Sequence, residues 1–128
     1  MDVRNLDDVP AFVTKDGSQI RELLAYRNSC IRLQSLAEAR LVPGAATTPH
    51  YHRKTEEIYF ILQGVGEMRI GKECRRVRAG DAIAIPPRAV HTIRNTGTQE
   101  LRFLCCCTPP YEHEDTVLVE QDDAPAPD

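Results

Sequence analysis

His50-Tyr51-His52-Arg53-Lys54-Thr55-Glu56-Glu57 is the stretch of this chain that says most about its fold and chemistry. His50 and His52 are two positions apart, and residues with that spacing in a β-strand point to the same face. Both imidazoles can therefore reach one metal ion, and Glu57 can add a carboxylate from the start of the next strand. If the fold also brings His91 to this point, three imidazoles and one carboxylate suit a first-row divalent metal.

Short strand-like segments lie on both sides of this stretch. Several of them end at turn signals such as Pro43-Gly44, Gly71-Lys72 and Pro86-Pro87. The predicted strands are 31–42, 57–62, 67–70, 74–77, 82–85, 90–94, 101–107 and 115–120. Helix competes with strand at 36–41, and residues 19–26 could form one or two helical turns. We favour strand at 36–41 because a turn follows at once, and the whole pattern predicts an all-β barrel or sandwich.

The segment from Gly44 to Gly64 resembles the first sequence motif of the cupin family, G(X)5HXH(X)3-4E(X)6G. Its HXH pair falls on the two histidines quoted above. Six residues separate Glu57 from Gly64, so Glu57 rather than Glu56 occupies the ligand position of the motif.

The segment from Gly80 to Asn95 resembles the second cupin motif, G(X)5PXG(X)2H(X)3N. It matches at Gly80, Pro86, His91 and Asn95. It departs from the motif at Arg88, where the family pattern has glycine. Because arginine fits turn positions of negative φ, we expect a different turn type there and no change in the ligand role of His91.

The resemblance implies a cupin double-stranded β-helix, which is a jelly-roll-like barrel, with a short N-terminal arm. We assign residues 1–28 to the arm, packed on the barrel or on a partner, and residues 29–120 to the barrel. Residues 121–128 are acidic and rich in Pro and Ala, so we expect a disordered tail.

The resemblance also implies a metal site near the wider mouth of the barrel. Its ligands would be His50, His52, Glu57 and His91, holding one divalent transition metal (Mn, Fe, Ni, Zn or Co). Four further residues are predicted to line the pocket, on strands 57–62 and 101–107: Tyr59, Ile61, Phe103 and Cys105. We expect strand 101–107 to form a hairpin with the strand that carries His91, because only a short turn joins the two.

Tyr111 and His113 follow the last long predicted strand and are candidate catalytic residues. A segment that folds over the barrel mouth would place a phenol and an imidazole near the metal, where imidazole could transfer protons. Alternatively, the segment runs along the outside and contributes surface or dimer contacts.

Composition narrows the function classes. Lys plus Arg total 16 and Asp plus Glu total 19, which gives a net charge of −3, so nucleic acid is not an expected partner. The chain has no apolar run long enough for a membrane span and no secretory signal pattern, so we predict a cytoplasmic protein without membrane contact. Five cysteines form an odd count that argues against a disulfide framework.

Two function classes stay open. The first is a metal-dependent enzyme of isomerase, dioxygenase or decarboxylase type, acting on a small oxygen-rich substrate such as a carboxylate or a sugar-like molecule. Within the family, the chain is loosely similar to mannose-6-phosphate-isomerase-type cupins. The second class is a non-catalytic metal-dependent binding or sensing module. Apolar residues in the arm, including Phe12, Ile20 and Leu23, further predict a homodimer.

Overall fold

The structure is a computed structural model that describes residues 1–120. This part of the chain is built from strands, with two short 3-10 turns at Leu6–Asp8 and His113–Asp115. The strands are β1 (Phe12–Val13), β2 (Gln19–Leu24), β3 (Ser35–Leu41), β4 (His50–His52), β5 (Glu56–Gln63), β6 (Val65–Ile70), β7 (Glu73–Arg78), β8 (Ala82–Ile85), β9 (His91–Asn95), β10 (Leu101–Thr108) and β11 (Thr116–Leu118). The tail predicted for residues 121–128 lies outside the described residues.

The strands form two antiparallel sheets. The six-stranded sheet has the order β1-β2-β3-β10-β5-β8, and the five-stranded sheet has the order β11-β4-β9-β6-β7. Neighbours in these sheets are often far apart in sequence, as expected for a jelly-roll arrangement. The all-β prediction is confirmed. No helix within residues 1–120 is long and apolar enough to cross a membrane.

Alternation of buried and exposed residues sets the inner face of each sheet. Along β5, Glu57, Tyr59 and Ile61 are buried, while Ile58 and Phe60 between them are exposed. The inner residues of β10 are likewise buried: Leu101, Phe103, Cys105 and Cys107. Because residues two apart on a strand share a face, these side chains all point into the barrel. Within each strand, the polar or thiol groups lie towards one end of the barrel interior and the apolar groups towards the other.

The apolar end of the interior is a packed core between the two sheets. Ile61, Ile93 and Leu101 are completely buried there, and Met68 and Val77 of the five-stranded sheet join them. Full burial of a side chain of this kind contributes roughly 1.5–3 kcal/mol. The barrel therefore has a source of stability that does not depend on the polar end.

The N-terminal residues contribute strands to the six-stranded sheet. β2 pairs with β3 in the register Gln19↔Arg40 to Leu24↔Leu36, and β1 pairs with β2. The helical turns predicted for residues 19–26 are therefore wrong. Pairing with an already formed strand satisfies the backbone groups of β2, and this tertiary contribution outweighs a weak local helix propensity.

The hairpin predicted between the His91 strand and strand 101–107 is also wrong. β9 pairs with β4 and β6 in one sheet, whereas β10 lies between β3 and β5 in the other. Asn95 stabilises the crossing: its Nδ2 donates to the carbonyls of Leu41 and Gln99, and its Oδ1 accepts from the Gly97 N–H. The short link therefore transfers the chain from one sheet to the other.

Arg88 has a left-handed backbone, with a φ of 68°. The expectation of a negative φ at this position is wrong, because the turn keeps the conformation in which the family motif has glycine. The Arg88 N–H donates to the His52 carbonyl at 2.7 Å, which ties the turn before β9 to β4. This contact helps to hold His91 beside the two β4 histidines.

Candidate metal centre

Three imidazoles converge at the polar end of the barrel interior. β4 supplies His50 and His52, and β9 supplies His91, which is paired in register with His50. All three side chains are buried, and one ring nitrogen of each lies within 4.8 Å of the others. The same-face prediction for the HXH pair and the placement of His91 therefore agree with the observed geometry.

Backbone carbonyls orient two of the rings. Nδ1 of His50 lies 2.7 Å from the Thr48 carbonyl oxygen, and Nδ1 of His91 lies 2.9 Å from the Ala89 carbonyl oxygen. A carbonyl oxygen only accepts hydrogen bonds, so each Nδ1 must carry the proton. The Nε2 lone pair of each ring is therefore left available for a metal.

Thr116 of β11 orients the third ring. Its hydroxyl donates to the Glu112 carbonyl at 3.1 Å, so its oxygen is free to accept from Nδ1 of His52 at 3.0 Å. This relay fixes His52 in the same tautomer as the other two rings. The C-terminal strand thus contributes to the site through a supporting contact that the sequence analysis did not identify.

Glu57 completes the group from β5. Its Oε1 lies 3.2 Å from Nε2 of His52 and 3.6 Å from Nε2 of His91, and its Oε2 accepts from Cys107 Sγ at 3.4 Å. Burial opposes ionisation of this carboxyl, but the neighbouring imidazoles of His52 and His91 outweigh burial and lower its pKa below the ordinary value. Glu57 therefore adds an anionic oxygen donor to the three imidazoles.

These four side chains fit a divalent transition metal. Oε1 of Glu57 and Nε2 of His91 are buried atoms without a hydrogen-bond partner, which is an unfavourable state unless a cation binds there. Burial, together with the charge of His91, lowers the pKa of His50 to about 4, which keeps its imidazole neutral near pH 7. Neutral imidazoles and a carboxylate are the ligand forms that such a metal requires.

Asp16 approaches the centre from the turn between β1 and β2, and the sequence analysis missed it. Its Oδ2 lies 3.6 Å from Nε2 of His50. No spacing motif links Asp16 to the HXH pair. The contact arises only because β2 joins the sheet at β3, which swings the preceding turn over the barrel mouth.

A recessed cavity of about 40 Å³ adjoins the ligands. That is enough space for several water molecules. Its wall consists of Phe12, Thr14, Asp16, Ser18, Ile20, Glu22, Ser35, Ala37, Ala39, His50, His52, Glu57, Tyr59, Phe103, Cys105, Cys107, Tyr111 and Thr116. Three predicted pocket residues, Tyr59, Phe103 and Cys105, are among them. Ile61 was also predicted to line the pocket, but it does not line this cavity. It is the next inward-facing residue of β5 after Tyr59 and lies in the packed core.

A family model described as a cupin domain matches residues 37–107, more than half of the chain. The chain belongs to the cupin family. The matched segment contains all four candidate ligands, and the sequence resemblance is thereby confirmed. Asp16 and Tyr111 of this cupin lie outside the matched segment.

Relatives of this cupin carry different names. An uncharacterized protein of Methanocaldococcus jannaschii is 47% identical over 114 residues, covering 89% of this chain and 91% of that protein. A protein of Thermotoga maritima named as an oxalate-binding protein is 35% identical over 86 residues, covering 67% of this chain and 71% of that protein. These two relatives share the family with this chain and leave its reaction open.

Solved structures show the same fold at lower identity. The polyketide cyclase RemF from Streptomyces resistomycificus superimposes with a TM-score of 0.78 at 24% identity, covering 95% of this chain and 89% of that one. A predicted oxalate decarboxylase from Thermotoga maritima gives a TM-score of 0.75 at 24% identity, covering 84% and 99%. At such identities the similarity establishes the barrel alone.

The two candidate catalytic residues of this cupin lie at different depths. Tyr111 lines the cavity, with its ring 6.1 Å from the ring of His52. His113 is exposed and lines a second depression, here called the outer cleft. The outer cleft is formed by Phe12, Val13, Thr14, Lys15, Glu22, Tyr26, Arg27, Tyr111, Glu112, His113 and Glu114. Since Phe12, Thr14, Glu22 and Tyr111 line both spaces, they separate the cavity from the cleft.

The phenol and thiol groups of the cavity are kept protonated. Burial, with the charge of Glu57 adding to it, raises the pKa of Tyr59 and of Cys105 well above their ordinary values. Burial likewise raises the pKa of the Tyr111 phenol. The cavity therefore presents protonated hydroxyl and thiol groups beside the ligand set, and these can donate hydrogen bonds to an oxygen-bearing molecule.

Proposed function

We propose that this cupin is a metal-dependent enzyme that acts on a small oxygen-rich substrate. The substrate would chelate a divalent transition metal held by His50, His52, Glu57 and His91. The observation that carries the proposal is the pair of unpartnered buried atoms, Glu57 Oε1 and His91 Nε2, beside a recessed cavity. Four protein ligands leave coordination positions open to a substrate.

The side chains around the ligands support catalysis at this site. When bound, the metal would supply Lewis-acid or redox chemistry. Tyr111 stands beside His52 at the cavity wall, where its phenol can donate a hydrogen bond to a substrate oxygen. His113 lies in the outer cleft, where it could exchange protons with solvent. Isomerisation, oxidation by O2 and decarboxylation are all compatible with this arrangement, and the ligand set alone does not select among them.

A non-catalytic metal-dependent binding module is the second candidate. The Thermotoga maritima relative named as an oxalate-binding protein favours it. The two candidates differ in what happens to a bound molecule. Incubation of the metal-loaded protein with small hydroxycarbonyl compounds, followed by mass spectrometry, would detect conversion by an enzyme and unchanged ligand with a binding module.

A homodimer is part of the proposal. Phe12 and Val13 of β1 are 46% and 70% exposed, and the outer face of β5 exposes Ile58, Phe60 and Leu62. An apolar surface of this kind is typical of a subunit contact, and two-fold pairs are the commonest oligomers. Light scattering should give twice the mass of one chain. A monomer mass at micromolar concentration would exclude the dimer.

Metal titration of ligand variants tests the metal centre directly. Calorimetric titration with Zn(II) or Co(II) should show one site per chain in the wild type, and His52→Ala and His91→Ala should lose it. His113→Ala is the matched control, since it removes the remaining histidine of the sequence from outside the ligand group. Circular dichroism should show a folded barrel in every variant because the apolar core is untouched. Full metal content in both ligand variants would reject the assignment.

A further inference from the structure

The wall of the cavity contains carboxylates and no cationic side chain. Among the residues that the structure describes, Asp16, Glu22 and Glu57 line the cavity, and neither lysine nor arginine does. Residues 121–128, which lie outside the described part, also contain neither. A protein site that binds a small dianion is expected to offer arginine, lysine or a cluster of free N–H donors. In this cavity the acidic side chains of the wall are carboxylates, which repel a dianion.

Asp16 is held with one oxygen facing the ligand set. Its Oδ1 accepts from the Ser18 N–H at 2.9 Å, the Ser18 hydroxyl at 2.6 Å and the Thr14 hydroxyl at 2.7 Å. The backbone N–H of Thr14 also donates to the Ser18 carbonyl at 3.0 Å, which closes the turn. Three donors on Oδ1 leave Oδ2 as the oxygen that points at Nε2 of His50. The carboxylate is therefore fixed beside the metal position.

The cations of the outer cleft are engaged elsewhere. The Lys15 ammonium donates to the carbonyls of His113 and Thr116 at 3.3 and 2.7 Å. The Arg27 guanidinium forms ion pairs with Glu22 at 3.2 Å and Glu112 at 3.0 Å. An anion entering through this cleft would have to compete with these partners and would still meet Asp16 at the end of its path.

We propose that this cupin takes uncharged oxygen-bearing substrates and excludes small carboxylate dianions such as oxalate, and that Asp16 sets this specificity. The inference rests on the proposed metal-dependent function and narrows its substrate class. A divalent metal together with Glu57 and Asp16 has no net charge, so a bound dianion would add two unbalanced negative charges to a buried site. A neutral hydroxycarbonyl compound or diol offers two chelating oxygens without that penalty. The size of the cavity restricts it to a small molecule.

Two probe ligands on the Co(II)-loaded protein test the inference. Oxalate serves as the dianion, and dihydroxyacetone serves as a neutral compound with adjacent carbonyl and hydroxyl oxygens. Binding is followed by the Co(II) absorption bands and by calorimetry in the wild type and in Asp16→Asn. The asparagine retains an oxygen for the Ser18 and Thr14 donors and removes only the charge. Asp8→Asn, which neutralises an exposed carboxylate outside the cavity, is the matched control.

We expect Asp16→Asn to bind oxalate at least about tenfold more tightly than the wild type, with little change for dihydroxyacetone. Asp8→Asn should behave as the wild type does. Equal oxalate affinity in the wild type and Asp16→Asn would overturn the inference, and so would the absence of oxalate binding in both. Failure of the proposed function has a different signature, because Co(II) itself would then not bind at the histidine cluster.

Discussion

Glu57 and Glu38 are two buried glutamates on opposite faces of the six-stranded sheet. Glu57 points inward from β5, where Oε1 has no hydrogen-bond partner. Glu38 points outward from β3, where both oxygens are bonded. Its Oε1 accepts from Arg40 Nε at 2.7 Å, and its Oε2 accepts from Arg102 Nε at 2.7 Å. The side chain of Glu38 is nonetheless completely buried, beneath the stems of these arginines.

The difference between the two glutamates separates a structural ion cluster from a binding site. For Glu38, burial raises the pKa, but hydrogen bonds from Arg40 and Arg102 outweigh burial, and the net pKa is lowered. All the partners of this carboxylate belong to the chain. Glu57 has a lowered pKa too, yet one of its oxygens still lacks a partner. A buried charge that the fold leaves incompletely satisfied indicates that a ligand supplies the rest.

The largest expected effect is the loss of metal affinity in Glu57→Gln. Removing the anionic ligand should weaken Co(II) or Zn(II) binding by about 100-fold or more, since changes in outer-shell partners alone cost 10–100-fold. The metal-free protein should lose less stability than Glu38→Gln does, because one oxygen of the Glu57 carboxylate lacks a hydrogen-bond partner in the fold. Glu56→Gln alters the adjacent exposed glutamate and is the control. A marked fall in metal-free stability would place Glu57 in the same class as Glu38.

Glu38→Gln should show the opposite behaviour. Loss of the carboxylate leaves Arg40 and Arg102 without their shared anion, and we expect the free energy of unfolding to fall by about 3 kcal/mol. Metal affinity should stay at the wild-type level, because Glu38 lies on the outer face of the sheet. Urea unfolding measures the first quantity and calorimetry the second, with exposed Glu67→Gln as control. If Glu38→Gln lost metal affinity without a fall in the free energy of unfolding, the structural role assigned to Glu38 would be wrong.

Acid titration sharpens the assignment of Glu38. Its folded-state pKa is below the ordinary value of 4.5, so its stabilising contribution is complete above that pH. The contribution is lost as the pH falls through the lowered folded-state pKa. The stability gap between the wild type and Glu38→Gln should therefore be constant near pH 7 and shrink towards pH 3. A gap that persists in acid would show that the carboxylate charge is not its source.

The smallest effect concerns a residue that supports the centre without carrying charge. Thr116→Val keeps the shape of the side chain but removes the oxygen that accepts from His52 Nδ1. The ring then loses its preferred tautomer, and metal affinity should fall about tenfold. Thr108→Val, at an exposed position, should leave the affinity unchanged. An unchanged affinity in Thr116→Val would mean that the metal alone orients His52.

The sequence predicted the barrel and its four candidate ligands because both depend on short-range regularities. Residues two apart on a strand share a face wherever the strand lies, so His50 and His52 needed no tertiary information. The family motifs then located Glu57 and His91. The same period placed Tyr59, Phe103 and Cys105 in the cavity wall.

Features that depend on long-range pairing could not be predicted in this way. Asp16 reaches His50 only because β2 joins β3, and Glu38 meets Arg102 only because β10 lies beside β3. The mistaken hairpin has the same origin. A short link normally joins paired strands, but here Asn95 directs it into the other sheet. Backbone strain at Arg88 was missed because its residue type indicates the opposite sign of φ.

The position of β10 has a consequence for how the chain folds as it is synthesised. β10 lies between β3 and β5, and its partners in β3 are roughly 60 to 72 residues earlier in sequence (Leu101 with Leu41, Cys107 with Ser35). A chain emerging from the ribosome therefore exposes the facing edges of β3 and β5 until residues 101–108 arrive. Folding should be slow, as expected for a topology of high contact order, and unpaired edges favour aggregation during that interval.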